Sequence, residues 1–401
     1  MITKILTLTT DVKKYLICQL FVSIGYFVVI PYLVIYVHKA GYSTNFASGQ
    51  LSILFGGQYI ASLIGGKMTD RLGGGFTTKI GLTIQVLSYV IFTLPFDSKA
   101  FFCGTSLLLG ISKGLYTPAS KAMLAHIDNK ADKMLLFSLR YTVNNIGVVI
   151  GSWIGAYYFY RNSHMLFLAA SIVAFLGLLG LFLIRNKHEI ISYPTNAIEG
   201  NKKSWRELRQ MLKNKLLISL SLLLFSYNFI YIQLESSLPL TAFKIWGESM
   251  VAVIFIVNSV VVILFQLPIN NKLIGMPNKW GAVTLGFSFF FLSMLSMYLF
   301  ESKIALVTCI VLFSIGEIII EPTLDTLASE NAKEKNQGMV FGVLGAIGLL
   351  GGVAGNTLSG YVLGINNPNI LWLLCAGITA CSLLFLKSYR VSGTKEKAMS
   401  D

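Results

Sequence analysis

Two stretches of this chain are the same helix written twice: Gly147-Val148-Val149-Ile150-Gly151-Ser152-Trp153-Ile154-Gly155-Ala156-Tyr157 and Gly351-Gly352-Val353-Ala354-Gly355-Asn356-Thr357-Leu358-Ser359-Gly360-Tyr361. A shift of 204 residues superposes them without a gap, and the same shift carries Pro118 onto Pro322 and Phe137 onto Phe341. Each stretch keeps a G-x-x-x-G in an apolar surround, the pattern that lets two helix backbones approach closely in lipid. Outward from this pair, apolar runs recur along the whole chain, at roughly 15–37, 46–66, 77–96, 100–121, 138–160, 164–185, 215–243, 249–269, 279–300, 303–328, 337–363 and 369–387. Each comes close to the ~20 residues an α-helix needs to cross a hydrocarbon core. The first run, at about 23 residues with no A-x-A-like site after it, is longer than the apolar core of a signal peptide and reads as a membrane span.

The expected fold is therefore an all-α integral membrane protein with twelve transmembrane helices in two pseudo-symmetric six-helix bundles. Composition agrees: hydrophobic residues make up 54% of the chain, charged residues 12%, and the mean hydropathy is +0.68. A soluble chain of 401 residues would need a more polar surface. Helix is the default because a lipid-exposed backbone must satisfy its own N–H and C=O groups, and the short alternating segments of a membrane barrel are missing.

A net charge of +14 raises the question of nucleic acid, and the placement of the charges answers it. Nearly all Lys and Arg lie in the N-terminus, the loops after even-numbered spans and the C-terminus. The opposite loops hold only Lys39, Lys99, Arg161, Lys244 and Lys303, and Lys113 lies inside a span. This is the positive-inside distribution. It predicts an inner (cytoplasmic) membrane protein with both termini in the cytoplasm and no role for nucleic acid. Cys18, Cys103, Cys309, Cys375 and Cys381 all fall within apolar runs without metal-ligand spacing, so no metal and no cofactor is expected.

Between about 186 and 214 the apolar pattern breaks, with Pro194, Gly200 and the basic residues Lys202, Lys203, Arg206, Arg209 and Lys213. This divides the chain into an N-terminal bundle (1–185), a cytoplasmic linker (186–214) and a C-terminal bundle with a short cytoplasmic tail (215–401). Trp205, Leu208 and Leu212 recur at helical spacing, so part of the linker reads either as a surface amphipathic helix or as a solvated tether.

After the second span the sequence runs Gly66-Lys67-Met68-Thr69-Asp70-Arg71-Leu72-Gly73-Gly74-Gly75. This resembles the major facilitator signature G-x-L-a-D-R-x-G-R-K, at the place in the chain where that family has it. The resemblance implies a cytoplasmic gate built on Gly66, Asp70, Arg71 and Gly73, with Asp70 capping the eleventh helix; Gly74 and Gly75 replace the signature's final basic pair. Gly147, Gly151 and Gly155 are similar to the family's antiporter motif, with Ser152 and Ala156 as departures, and small-residue packing explains them equally well.

Ionisable groups within the spans carry the functional signal, because a charge near the bilayer centre costs at least ~2.5 kcal/mol on insertion scales. Lys113 lies mid-span in the fourth helix and Glu235 in the outer half of the seventh. Glu317, Glu321 and Asp325 follow at four-residue intervals on the tenth, one acidic stripe running towards the cytoplasm. The 204-residue shift places Lys113 on Glu317. In the family's fold the first, fourth, seventh and tenth helices line a central cavity. Segments 233–239 and 316–322 are similar to those of twelve-helix multidrug:proton antiporters, which implies proton coupling or cation binding for Glu235 and Glu317, with Glu321 beside them. Asp325 reads as either a substrate contact or a partner in the gate. Where many such antiporters have R-x-x-Q-G, this chain has Gly110-Ile111-Ser112-Lys113-Gly114. Lys113 is then either a counter-ion for Glu317 or the receptor for an anionic group. Arg140 with Tyr141 and Asn144 forms a further family-like cluster, and Tyr26, Phe27, Tyr32, Tyr227, Phe229 and Tyr231 are candidate cavity-lining residues.

These readings converge on a secondary transporter, expected to act as a monomer in the bilayer and to move a small molecule in exchange for protons. The leading expectation is multidrug-type efflux. The alternative is a dedicated exporter of an anionic or zwitterionic metabolite such as a siderophore or metallophore. His38, His126, His164 and His188 lie near loops without partner spacing and no nucleotide-binding loop occurs, so an enzyme is not expected.

Overall fold

The computed structural model describes residues 8–127, 132–161, 163–184, 214–274, 276, 278–332, 336–364 and 368–398. These residues form helices and short connections, with no strand among them. In chain order the helices are α1 (Thr10–Lys39), α2 (Thr44–Leu72), α3 (Gly74–Phe92), α4 (Lys99–Ile127), α5 (Lys133–Arg161), α6 (Ser163–Phe182), α7 (Lys215–Trp246, in two pieces), α8 (Glu248–Ile274), α9 (Lys279–Leu299), α10 (Lys303–Asn331), α11 (Gln337–Gly364) and α12 (Pro368–Ala398). Ten of them are long and apolar enough to cross a membrane on composition alone. The two that fall short, α2 and α4, are rich in Gly, Ser, Thr and Gln, and they pack heavily on one another. A helix with protein neighbours needs fewer apolar side chains than one facing lipid. The proposed linker lies outside the described residues apart from Asn214, and with it the amphipathic pattern of Trp205, Leu208 and Leu212.

Helix ends follow local chemistry. The first amides are met by side-chain acceptors: Ser43 for α2 (from Phe46 N, 3.3 Å), Ser98 for α4 (Phe101 N, 3.2 Å), Asp132 for α5 (Met134 N, 2.8 Å), Asn214 for α7 (Leu216 N, 2.9 Å), Asn278 for α9 (Gly281 N, 3.0 Å) and Ser302 for α10 (Ala305 N, 3.1 Å). Between α2 and α3 the chain reverses on Gly73, whose φ of +90° is open to glycine at little cost. Several helices run beyond the apolar runs that mark them in the sequence: α2 continues to Leu72 and α4 to Ile127, while α5 begins at Lys133. Hydropathy detects where lipid ends; the hydrogen-bond ladder continues through the polar turns beyond it.

Helix α7 is a single run in the sequence but breaks at Ser236 into Lys215–Glu235 and Ser237–Trp246. Pro239 sits in the first turn of the second piece, where its missing N–H costs little but leaves the carbonyl four residues back without its usual partner. Gln233 secures the break: its Oε1 accepts from Ser237 Oγ (2.7 Å) and from Ser359 Oγ of α11 (2.6 Å), and its Nε2 donates to Phe229 O (2.9 Å).

The chain divides into two compact units, Met1–Leu217 with Ala328–Ala346, and Ile218–Leu327 with Ile347–Asp401. In the first unit α1 packs on α5 and α6, α2 on α4, and α3 on α4 and α6. Its apolar core joins Leu33, Leu54, Tyr89, Phe92, Phe102 and Phe167, with the Phe92 and Phe167 rings stacked 4.7 Å apart. In the second unit α9 packs on α12, α7 on α11, and α10 on both α8 and α9.

The repeat is visible in these contacts. On α5, a Cβ at Gly151 would lie 2.6 Å from Ile24 O of α1; on α11, one at Gly355 would lie 2.7 Å from Phe229 O of α7. On α3, a Cβ at Gly81 would lie 3.0 Å from Ser112 O of α4; Gly286 of α9 makes the matching approach to Gly316 O of α10, at 3.2 Å. Gly110 of α4 abuts the backbone of Leu54 on α2, and the residues 204 further on, Ser314 and Asn258, are hydrogen-bonded between α10 and α8 at 2.9 Å. Gly355→Ala is therefore expected to lower stability by about 1–3 kcal/mol through overpacking against α7, whereas Gly360→Ala, with open space around it, should leave it unchanged or slightly raised. Thermal unfolding of the two variants in detergent measures the contrast.

Candidate functional site

The second unit gathers the acids. Glu317 and Glu321 lie one turn apart on α10. Glu317 is 2% exposed and accepts at Oε2 from Asn258 Nδ2 of α8 (3.0 Å), the same amide group that donates to Ser314 Oγ. Glu321 accepts from the Tyr227 hydroxyl of α7 at 3.2 Å. Tyr231, one turn further along α7, sits within the electrostatic field of Glu317, Glu235 and Glu321 together. Glu235 ends the first piece of α7 with its side chain exposed, and makes no hydrogen bond or ion pair among the described residues. Asp325 is buried on α10, two turns beyond Glu317.

An aromatic stack runs from Tyr227, the ring that meets Glu321. Tyr227 is stacked with Tyr231 (centroids 5.8 Å) and with Phe290 of α9 (5.9 Å), and Phe290 is stacked with Phe313 of α10 (4.7 Å). Tyr231 lies 6.3 Å from Phe313. Carboxylates beside stacked ring faces suit an organic cation, which the negative charge attracts and the ring quadrupoles stabilise.

The first unit gathers the cations. Lys113, at the middle of α4, places its Nζ 3.9 Å from the centre of the Tyr26 ring of α1 and 6.0 Å from that of Tyr116. Below it runs a polar chain. Asn144 Oδ1 of α5 accepts from Gln19 Nε2 (2.6 Å) and Ser23 Oγ (2.7 Å) of α1, and the Tyr116 hydroxyl donates to Gln19 Oε1. Tyr15 and Ser120 share a hydrogen bond of 2.6 Å. Arg140, only 5% exposed, acts electrostatically on Tyr15 and on Lys113.

The signature loop lies in the first unit with the start of α11. Asp70 uses both oxygens on the first amides of that helix, Oδ1 accepting from Gly338 N (2.7 Å) and Oδ2 from Met339 N (2.8 Å). This places a carboxylate where the helix dipole and the unbonded amides favour it. Gly66 makes the approach feasible, since a Cβ there would lie 2.6 Å from Gly338 O. Arg71 is exposed on the last turn of α2.

Of the aromatic candidates, Tyr26, Tyr227 and Tyr231 stand beside the charges, whereas Tyr32 serves helix packing, donating to Ser152 O (3.0 Å) and stacking on Phe159. The Phe27 and Phe229 positions lie against Gly151 and Gly355 through their Cβ and backbone atoms. Asn258, Gln19, Phe290 and Phe313 were not singled out from the sequence. Asn258 carried one usable signal, an amide in an apolar run at a position whose repeat partner is Leu54.

The profile of the Major Facilitator Superfamily matches residues 15–355 and 236–400. The chain belongs to that superfamily and is a multi-pass membrane transporter. It is 23% identical over 385 residues to the multidrug resistance protein MdtH of Blochmanniella pennsylvanica, covering 92% of this chain and 91% of that protein. To a Na(+), Li(+), K(+)/H(+) antiporter of Planococcus maritimus it is 25% identical over 372 residues, covering 82% and 84%. Among solved structures, the human organic anion transporter MFSD10 superposes with a TM-score of 0.78 at 17% identity, covering 94% of this chain and all of that one. The transporter fold is thus shared well beyond recognisable sequence identity.

Asp70→Asn keeps the shape of the cap but removes its charge and one acceptor. The start of α11 is expected to lose about 1–2 kcal/mol, read as roughly tenfold faster hydrogen exchange at the Gly338 and Met339 amides.

Proposed function

We propose that this transporter exports small amphiphilic cations in exchange for protons, by alternating access, across the inner membrane. The observation that carries the reading is the acid–aromatic cluster of the second unit, where Glu317 and Glu321 stand beside the stacked rings of Tyr227, Tyr231, Phe290 and Phe313. A carboxylate in such a place has two ways to be neutralised, by a proton or by a cationic substrate. When only one is admitted at a time, proton entry drives substrate release. Glu317, held by Asn258, is the proposed point of competition. Glu235, exposed and without a bonded partner, is the proposed first acceptor for protons from outside. Asp70 and its amides at the start of α11 are the proposed gate, with Arg71, Gly66, Gly73 and Asp325 as its proposed neighbours, and the glycines of α5 and α11 are the packing surfaces that would hold α1 and α7 during the cycle. The MdtH and antiporter relatives support efflux and ion exchange as the general class.

Reconstitution into liposomes with an imposed pH gradient tests the coupling, using a fluorescent cationic dye as substrate. Glu317→Gln is expected to lower gradient-driven transport at least about a hundredfold, the scale for loss of a group that moves a proton, while dye still equilibrates down its own gradient. Glu235→Gln is expected to slow it without changing the final level. Gradient-driven accumulation that survives both substitutions would sink the assignment.

A further inference from the structure

Helix α3 carries a stripe of side chains on one face within the first unit. Phe76, Ile80 and Ile84 fall at four-residue spacing with Lys79 and Thr83 between them, and together they form one wall of an open groove of about 570 Å³. Phe182, the last residue of α6, forms the facing side. That volume lies within the ~300–1,000 Å³ of small-ligand sites. Phe76, Thr83 and Phe182 are exposed. The groove starts at the end of the bundle where α2 turns into α3 at Gly73 and runs inward for about 12 Å along α3, at 1.5 Å per residue. Lys79 is the charged residue of its wall. The Lys79 Nζ lies 4.9 Å from the centre of the Phe182 ring, so the charge is carried across the groove, and none of the residues lining the groove is acidic. Lys14 of α1 brings a second ammonium to the same end of α6, donating to Leu183 O at 2.9 Å. Packing does not call for a cation here. Gly81 and Gly286 set matching turns of α3 and α9, and where α3 has Lys79, two residues before its glycine, α9 has Thr284, bonded to Trp280 O at 2.9 Å.

We propose that this groove binds one anionic phospholipid, with its phosphate on Lys79 and an acyl chain laid along Phe76, Ile80 and Ile84 against Phe182. In a bilayer the apolar wall gains little by exchanging one hydrocarbon neighbour for another, so contacts with the chain set the pose and the charge sets the choice of lipid. A phosphate ester meets an ammonium through charge-assisted hydrogen bonds, with lysine acting as a point charge. The Thr83 hydroxyl is turned back onto its own helix, donating to Lys79 O at 2.9 Å, which leaves the rest of the wall apolar for the chain. A headgroup with an ammonium of its own would bring a like charge to Lys79 and Lys14, and the groove wall offers it no acid. That favours a lipid of net negative charge, such as a phosphatidylglycerol, over a zwitterionic one. The site lies wholly within the first unit, apart from the acids of α10, and is independent of the export reading.

The test uses two lipids that differ only in the headgroup, dioleoyl phosphatidylglycerol and dioleoyl phosphatidylethanolamine. Each is titrated into the full chain in an uncharged detergent, and native mass spectrometry gives the dissociation constant of the first lipid bound. The wild type is expected to prefer phosphatidylglycerol. Lys79→Ala is expected to weaken it at least about fivefold, the effect of one basic residue on an anionic lipid, and to leave phosphatidylethanolamine within about twofold, while Lys79→Arg retains the preference. Thr83→Trp keeps the charge and fills the groove, and is expected to weaken phosphatidylglycerol by a similar factor. Lys387→Ala, at an exposed lysine of α12, is the control and should change nothing. Thermal unfolding confirms that each variant is folded. Equal affinity of the wild type for the two lipids overturns the proposal, as does phosphatidylglycerol binding indifferent to Lys79→Ala or to Thr83→Trp. So does an equal loss with Lys387→Ala, the mark of a diffuse attraction between anionic lipid and a chain of net charge +14.

Discussion

Close approach of one helix backbone to another is the constraint on which this structure depends. In lipid, apolar side chains gain little from leaving one apolar surround for another, so helices associate through packing and through the few polar contacts that close range allows. Glycine sets that range. Gly81 and Gly286 bring α3 to α4 and α9 to α10 at matching turns, and Gly151 and Gly355 do the same for α5 on α1 and α11 on α7. These approaches fix the rotation of α4, α10, α1 and α7 about their axes. Rotation decides which side chains meet. Lys113 reaches Tyr26, and Tyr227 reaches Glu321, because the neighbouring turns are pinned.

The parts of the fold legible in the sequence are those governed by composition and by repetition. Apolar length located the helices, and the 204-residue shift identified glycine pairs that the structure shows to make equivalent contacts. What stayed hidden depends on geometry at the scale of a single turn. The break in α7 rests on Ser236, Pro239 and the Gln233 bonds to Ser237 and Ser359, and a hydropathy window averages across all of them. The helix extensions past the lipid boundary were hidden for the converse reason, since polar turns can be as helical as apolar ones.

The candidate site was legible in its charges and not in its partners. An ionisable residue in an apolar run stands out because its cost is large, so Lys113, Glu235, Glu317 and Glu321 needed no structure to be noticed. Asn258 and Gln19 cost far less to bury when hydrogen-bonded, and their meaning appears only once the partner is known. Aromatics were the least legible. Tyr26 and Tyr32 lie six residues apart on α1, yet one carries the Lys113 cation on its face and the other stacks on Phe159. Which of the two roles a ring takes is set by helix rotation, and a single sequence does not encode that in any local pattern.

The two units share a packing scheme and differ in the sign of the charge they hold. At the repeat position on α4 stands Lys113, and at the same position on α10 stands Glu317. Each has its own local support, tyrosine faces for the cation and an amide donor for the carboxylate. Duplication of a bundle supplies two equivalent frames, and a frame held by glycine contacts tolerates either sign at a position where the side chain is not part of those contacts. The two frames therefore suit groups of opposite charge, an ammonium resting on ring faces in one and a carboxylate held by an amide in the other.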